Sequence, residues 1–211
     1  MQKFIVELIG TFFLVLTVGA CVDNPSPGVI APVAIGGALM VMIFAGGHIS
    51  GGHYNPAVTL AVAVRGRLSA HEVPWYILAQ LIGAVGAAGA VFYLKGKNQA
   101  VITNTPFFHL GQIALAEFLF TFALAYVVLN VATAKATAGN SFYGLAIGST
   151  VMVGAFAVGP ISGGVFNPAV ATGALYLGLL PPADYLGYVA AQLSAGVFAA
   201  YIFKVLHPDD K

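Results

Sequence analysis

Charge is scarce in this sequence. Asp, Glu, Lys and Arg together make up 7% of its 211 residues, where a water-soluble domain carries about a quarter. With hydrophobic residues at 59%, most of the surface must face lipid. The 8 basic and 7 acidic residues nearly cancel, so no basic face exists for nucleic acid and no acidic partner is implied. The single cysteine, Cys21, excludes an internal disulfide and a cysteine-based metal cluster; it reads as a small apolar filler at a helix end. The sequence has no nucleophile–base pair, phosphate loop or metal cluster, so an enzyme is not expected and no cofactor is implied. No lysine lies in mid-span for a Schiff base, which sets aside a retinal protein. No small-residue cleavage site precedes the second long apolar run, so the first run reads as a retained span and not a removed signal peptide.

Long apolar runs are plentiful. Six are long enough to cross a hydrocarbon core, at roughly 4–22, 29–47, 73–94, 111–133, 142–159 and 184–206, since a crossing takes about 20 residues. Two shorter runs, at about 56–65 and 168–180, each cover about half a span. Ten helical residues extend ~15 Å, half of a ~30 Å core. The expected fold is an all-α membrane protein, one channel domain over 1–211 with six transmembrane helices and two half-helices. The connections leave no room for a soluble domain. The longest lies at about 95–110, and five residues follow Leu206. Neither offers a site for gating by a partner or by phosphorylation.

Each half-helix begins with the same signal. The first is Ile49-Ser50-Gly51-Gly52-His53-Tyr54-Asn55-Pro56-Ala57-Val58; the second is Ile161-Ser162-Gly163-Gly164-Val165-Phe166-Asn167-Pro168-Ala169-Val170. They stand 112 positions apart with no gap. Ala79-Gln80-Leu81 recurs as Ala191-Gln192-Leu193 at the same offset, and Ala79, Gly83 and Ala87 match Ala191, Ala195 and Ala199. Small residues four apart let helices approach closely in lipid. Glu7 with Thr11-Phe12 matches Glu117 with Thr121-Phe122 at an offset of 110. Two repeats, about 1–100 and 108–211, therefore hold three spans and one half-helix each. Three is odd, so the second repeat is inverted. Inverted repeats with broken helices at the midplane are a design for membrane permeation.

Asn is a strong helix N-cap, its side-chain oxygen accepting from an unpaired backbone N–H. Pro is favoured just after it, where a missing N–H costs nothing. A helix N-terminus carries about half a positive charge. Two such ends facing each other make a positive focus at the membrane centre. With their oxygens used as caps, Asn55 and Asn167 have NH2 groups that can point into a pore as donors. A water bound there must accept, its hydrogens pointing away on both sides. That interrupts a proton-conducting chain, and the same field repels cations. Irregular backbone at this depth must line a cavity or be buried in protein. The Gly-rich approaches His48–His53 and Gly159–Phe166 are therefore expected to line the pore, with Gly51, Gly52, His53, Gly163 and Val165 at its wall.

On these motifs the chain resembles the aquaporin / major intrinsic protein family over essentially its full length. The resemblance implies a homotetramer in the lipid bilayer with one pore per subunit, passing water or small neutral solutes. Family members usually carry a second constriction: an aromatic residue on the second span, a His on the fifth in water-selective members, a small residue before the second motif, and an Arg after it. The matching positions here are Ile35, Ala155, Gly164 and Val170, with Pro160 aligned to a family proline. The Arg, the aromatic and the His are missing. Glycerol facilitators of the family usually have Arg-Asp after the second motif; here the run is Val170-Ala171-Thr172. The departure implies a wider, less polar constriction that admits urea, ammonia, hydrogen peroxide or glycerol besides water, and the field of the paired half-helices is expected to exclude protons and ions. Filling of that space by Phe156 or Phe166 would keep it narrow instead.

Glu7 and Glu117 lie inside apolar spans, where a carboxylate is a functional hypothesis by default. In one reading each binds backbone groups of the adjacent loop and holds the half-helix; in the other they relay protons in a proton-coupled secondary transporter. His53 is expected to fix its loop by hydrogen bonding, and no third ligand joins it and His48 in a metal site. His71, His109 and His207 fall at span ends and read as solvated. Trp75 with Tyr76 reads as an interfacial anchor. With the N-terminus cytoplasmic, Lys3, Arg65, Arg67, Lys135, Lys204 and Lys211 lie inside and only Lys95 and Lys97 outside. The positive-inside rule favours this orientation in a cell membrane.

Overall fold

The computed structural model describes residues 1–22, 28–96 and 110–210. Lys97, His109 and most of the 95–110 connection lie outside them. The described residues form helices and connecting turns, with no strand among them. In chain order the helices are α1 (Gln2–Val22), α2 (Ala31–Ser50), α3 (Pro56–Arg65), α4 (Val73–Lys95), α5 (Leu110–Val128), α6 (Tyr143–Ser162), α7 (Pro168–Tyr176) and α8 (Tyr185–Leu206). A 3-10 turn, Gly28–Ile30, leads into α2, and a π turn, Leu129–Thr133, ends α5. Six of these segments are long and apolar enough to span a membrane. α3 and α7 are the half-helices.

Packing repeats between the halves. α1 packs on α4 as α5 packs on α8, and α3 lies against α8 as α7 lies against α4. Each half-helix is thus housed by the last helix of the other half. α2 and α6 cross at Gly36 and Gly148. A Cβ on Gly36 would stand 2.5 Å from the Gly148 carbonyl oxygen, and one on Gly148 would stand 2.5 Å from that of Gly36. Only glycine allows so close a crossing.

Three element ends differ from the sequence-based expectation. α2 runs on to Ser50 and α6 to Ser162, the latter with Pro160 in its last turn. The extended approaches therefore shrink to 51–55 and 163–167, and His48 sits exposed on α2. α7 stops at Tyr176 and not at 180, because Gly178 turns the chain at φ +74° and the N–H groups of Leu179 and Leu180 fold back onto the Ala174 carbonyl.

Both ends of the described chain lie on one face. Lys3 pairs with Glu72 at 2.8 Å, and Asp210 pairs with Arg65 at 2.6 Å and Arg67 at 3.3 Å. Arg65 is buried and lies 4.6 Å over the Phe203 ring. Asp210 also accepts from the Lys135 N–H at 2.8 Å. The basic groups Lys3, Arg65, Arg67 and Lys135 thus gather on the termini face, while Lys95 donates to the Ala20 carbonyl at the far end of α1.

Candidate pore and its two Asn-capped half-helices

The loops entering the half-helices are built alike. Asn55 is extended (φ −157°, ψ 119°) and its Oδ1 accepts from Ala57 N at 2.8 Å and Val58 N at 3.4 Å. Asn167 has φ −157° and ψ 118°, with Ala169 N at 2.8 Å and Val170 N at 3.4 Å. Both are N-caps followed by Pro. Their NH2 groups, expected to face the pore, are partly committed elsewhere. Asn55 Nδ2 donates to the Phe166 carbonyl at 2.9 Å, and Asn167 Nδ2 donates to the Tyr54 carbonyl at 2.8 Å. One hydrogen of each amide ties the opposite loop, which leaves the second for a ligand.

Tyr54 and Phe166 both hold φ +49°, a left-handed conformation costly for bulky residues. The buried carboxylates hold these turns. Glu7 accepts from Ser50 Oγ (2.6 Å), His53 N (2.9 Å), Tyr54 N (2.7 Å) and Gln80 Nε2 (2.8 Å). Glu117 accepts from Ser162 Oγ (2.7 Å), Val165 N (3.0 Å), Phe166 N (2.6 Å) and Gln192 Nε2 (2.8 Å). Both glutamates have zero exposure. Every contact is a donor to the carboxylate, two on each oxygen, so a proton taken by either oxygen would meet a site already filled by donors.

Ile35, Ala155, Gly164 and Val170 come together around one narrow cavity of about 50 Å³, which Asn55, Asn167, Gly52, His53, Gly163 and Val165 also line. Room on that scale holds a short file of waters. The rest of its wall is aliphatic, including Leu14 and Val18 of α1 with Leu124 and Val128 of α5. No charged side chain lines it among the described residues. Gly164 holds φ +66°, and a Cβ there would meet Ala155 Cα at 3.1 Å, so a side chain at 164 would crowd the wall. Neither aromatic candidate fills the space. Phe156 is 54% exposed on the outside of α6, and buried Phe166 packs on Phe120 with ring centres 5.5 Å apart. On the termini face a wider vestibule of about 730 Å³ reaches His53 and is lined by Gly51, His48 and the connection after α5. His48 belongs to this vestibule and not to the narrow cavity.

Tyr76 corrects an expectation. Trp75 is 61% exposed, but Tyr76 is 3% exposed, and its hydroxyl donates to the Ser50 carbonyl at 2.7 Å. It closes the C-terminus of α2, as Tyr188 does for α6 through Ser162 at 2.6 Å. His207, expected to be solvated, stacks on Phe203 with ring centres 4.3 Å apart, while His71 is exposed beside Ser69. Composition and motif do not mark Ser50, Ser162, Gln80, Gln192 and Tyr188 as site residues. All recur at the 112-residue offset, and that was the available signal.

The chain matches known proteins over most or all of its length. The family model for the major intrinsic proteins matches residues 28–161 and 143–210. The chain is 36% identical to aquaporin NIP1-1 of Oryza sativa subsp. japonica over 222 residues, covering all of this chain and 76% of that protein. It is 33% identical to nodulin-26 of Glycine max, over all of this chain and 80% of that one. Among solved structures, the aquaglyceroporin from Plasmodium falciparum superposes with a TM-score of 0.80 at 21% identity, covering 98% of this chain and 97% of that one; it shows the fold. These findings define a multi-pass membrane channel and not an enzyme. The chain belongs to the major intrinsic protein family.

Proposed function

We propose that this channel conducts water and admits small neutral solutes such as urea, ammonia, hydrogen peroxide and glycerol, while it excludes protons and ions. One observation carries the reading: Ile35, Ala155, Gly164 and Val170 surround the same narrow cavity as the two Asn caps, and none of them bears a charge or a hydrogen-bonding side chain. A passing solute finds its polar partners at the loop carbonyls, at His53 and at the free amide hydrogens of Asn55 and Asn167. The N-termini of α3 and α7 supply the positive potential that opposes cations and orients water as an acceptor.

Passive flux accords with the geometry of Glu7 and Glu117, which act as braces for the loops. A proton-coupled transporter would need one of them to exchange a proton, and each accepts from four donors. Family membership extends the reading to the assembly: a homotetramer in the cell membrane, with the termini face and its basic residues in the cytoplasm. Stopped-flow light scattering on purified proteoliposomes tests the solute reading. Water flux accompanied by urea, glycerol or peroxide flux above the protein-free rate is the expected result. Water flux with none of the three would reject it.

A further inference from the structure

Among the residues lining the narrow cavity, one difference between the halves changes polarity. Where the second half has Val165 and Ala171, the first has His53 and Thr59. His53 is buried and lies at the junction, lining both the narrow cavity and the vestibule. Its Nδ1 stands 3.2 Å from Thr59 Oγ1. That hydroxyl also lies 3.0 Å from the Asn55 carbonyl and 2.9 Å from Gln80 Nε2.

The donors can be counted. Thr59 has one hydroxyl hydrogen. The Asn55 carbonyl can only accept. Gln80 Nε2 can only donate, and its orientation is set by its other bond, to the Glu7 carboxylate at 2.8 Å. For all three contacts on Thr59 to be hydrogen bonds, Thr59 must donate to Asn55 and accept from both Gln80 and His53. Nδ1 therefore carries the imidazole proton. Nε2 is left without a proton, it takes no protein partner among the described residues, and it is not sealed from the cavity.

We propose that the Glu7–Gln80–Thr59 chain locks His53 in its Nδ1–H form, so that a bare Nε2 acts as the acceptor that receives N–H and O–H groups of solutes at the mouth of the pore. His53 is then a specificity-determining residue, and Thr59 and Gln80 are positioning residues. The chemistry favours neutral solutes with several donors, such as amides and polyols, which must replace a hydration bond at each step. The other charged and titratable neighbours are Glu7, which accepts the His53 backbone N–H, the Lys3–Glu72 pair on the termini face, and Tyr76, whose ring lies 5.0 Å from the imidazole. Among the described residues, only the Thr59 hydroxyl is hydrogen-bonded to a ring nitrogen of His53.

The specificity part rests on the solute reading above; the tautomer does not. Solid-state NMR of histidine-15N-labelled protein in lipid at neutral pH, assigned with a His53→Asn control, should show a protonated Nδ1 and an unprotonated Nε2. In Thr59→Val the Nε2–H form should appear, and the urea-to-water permeability ratio should fall about fivefold, the rate equivalent of one hydrogen bond worth about 1 kcal/mol. Thr59→Ser should keep both wild-type values. A wild-type signal from Nε2–H overturns the proposal, and needs no variant to fold. A Thr59→Val protein with unchanged nitrogen shifts or an unchanged ratio also overturns it. Wild-type liposomes without urea flux would instead defeat the solute reading, while the nitrogen shifts still decide the lock.

Discussion

Asn55 donates its side-chain amide to the Phe166 carbonyl at 2.9 Å, 111 residues away in the chain. The bond is returned by Asn167 to Tyr54 at 2.8 Å. Each asparagine thereby caps its own half-helix and clasps the opposite loop. Asn55→Ala should remove the cap and one clasp together, a loss of about 2 kcal/mol. Asn167→Ala should lose as much, because its distances are nearly the same. Reversible unfolding in mixed detergent, followed by Trp75 fluorescence, would measure both. An effect confined to one of the two would show that the halves are not equivalent.

Glu117→Gln replaces an acceptor oxygen with an amide donor facing Ser162, Val165, Phe166 or Gln192. One bond must turn into a donor–donor contact, costing about 1–3 kcal/mol. Glu7→Gln should behave alike. Folded yield should drop in both, while flux per folded subunit stays passive, linear in solute concentration and indifferent to an imposed proton gradient. Gradient-driven uptake by the wild type that vanishes in Glu7→Gln would favour the transporter.

Val170→Arg places a long cation beside Ile35 and Ala155 in a cavity of about 50 Å³. Urea and glycerol permeability should fall about tenfold or more, with water reduced less. Unchanged solute permeability would mean that Val170 does not sit at the constriction.

The Lys135 N–H, together with Arg65 and Arg67, holds the Asp210 carboxyl below the usual carboxylate range. A group depressed in the folded state stabilises fully above its unfolded value, near 3.9 for Asp, and that contribution is lost as pH falls through the folded value. Glu72 follows the same sign, lowered by its bond from Lys3. Acidification from about pH 4 to about pH 2 should therefore loosen the termini face. Hydrogen exchange at residues 135–142, corrected for the intrinsic pH dependence, should accelerate over that range. Asp210→Asn should show the faster exchange already at neutral pH.

Much of this was legible in the sequence, for physical reasons. Long apolar runs and half-length runs report directly on a solvent of fixed thickness, and Asn-Pro-Ala is a helix start wherever it occurs. The paired Glu7 and Glu117 stood out because a carboxylate in lipid demands partners. The partners themselves were harder to read. Gln80 and Gln192 looked like part of a small-residue repeat, and Tyr76 beside Trp75 looked like an interfacial pair. In each case one helical position separates the lipid-facing side from the buried side, and composition does not resolve it. The ends of α2, α6 and α7 are not legible in the sequence because glycine carries the chain either on in helix or into a turn. The choice at Gly178 is made by tertiary packing of Leu177, Leu179 and Leu180, all buried.

Housing each stub in the other half has an implication for biogenesis. When a ribosome has released only the first hundred residues, α3 has neither α8 beside it nor Asn167 across from it. Its entry loop already has the Glu7 brace, but the Asn55 amide and the α8-facing side of the stub still lack their companions. Final seating of the stub therefore awaits completion of the chain. Two separately expressed halves would have to meet before either could complete its share of the conduit.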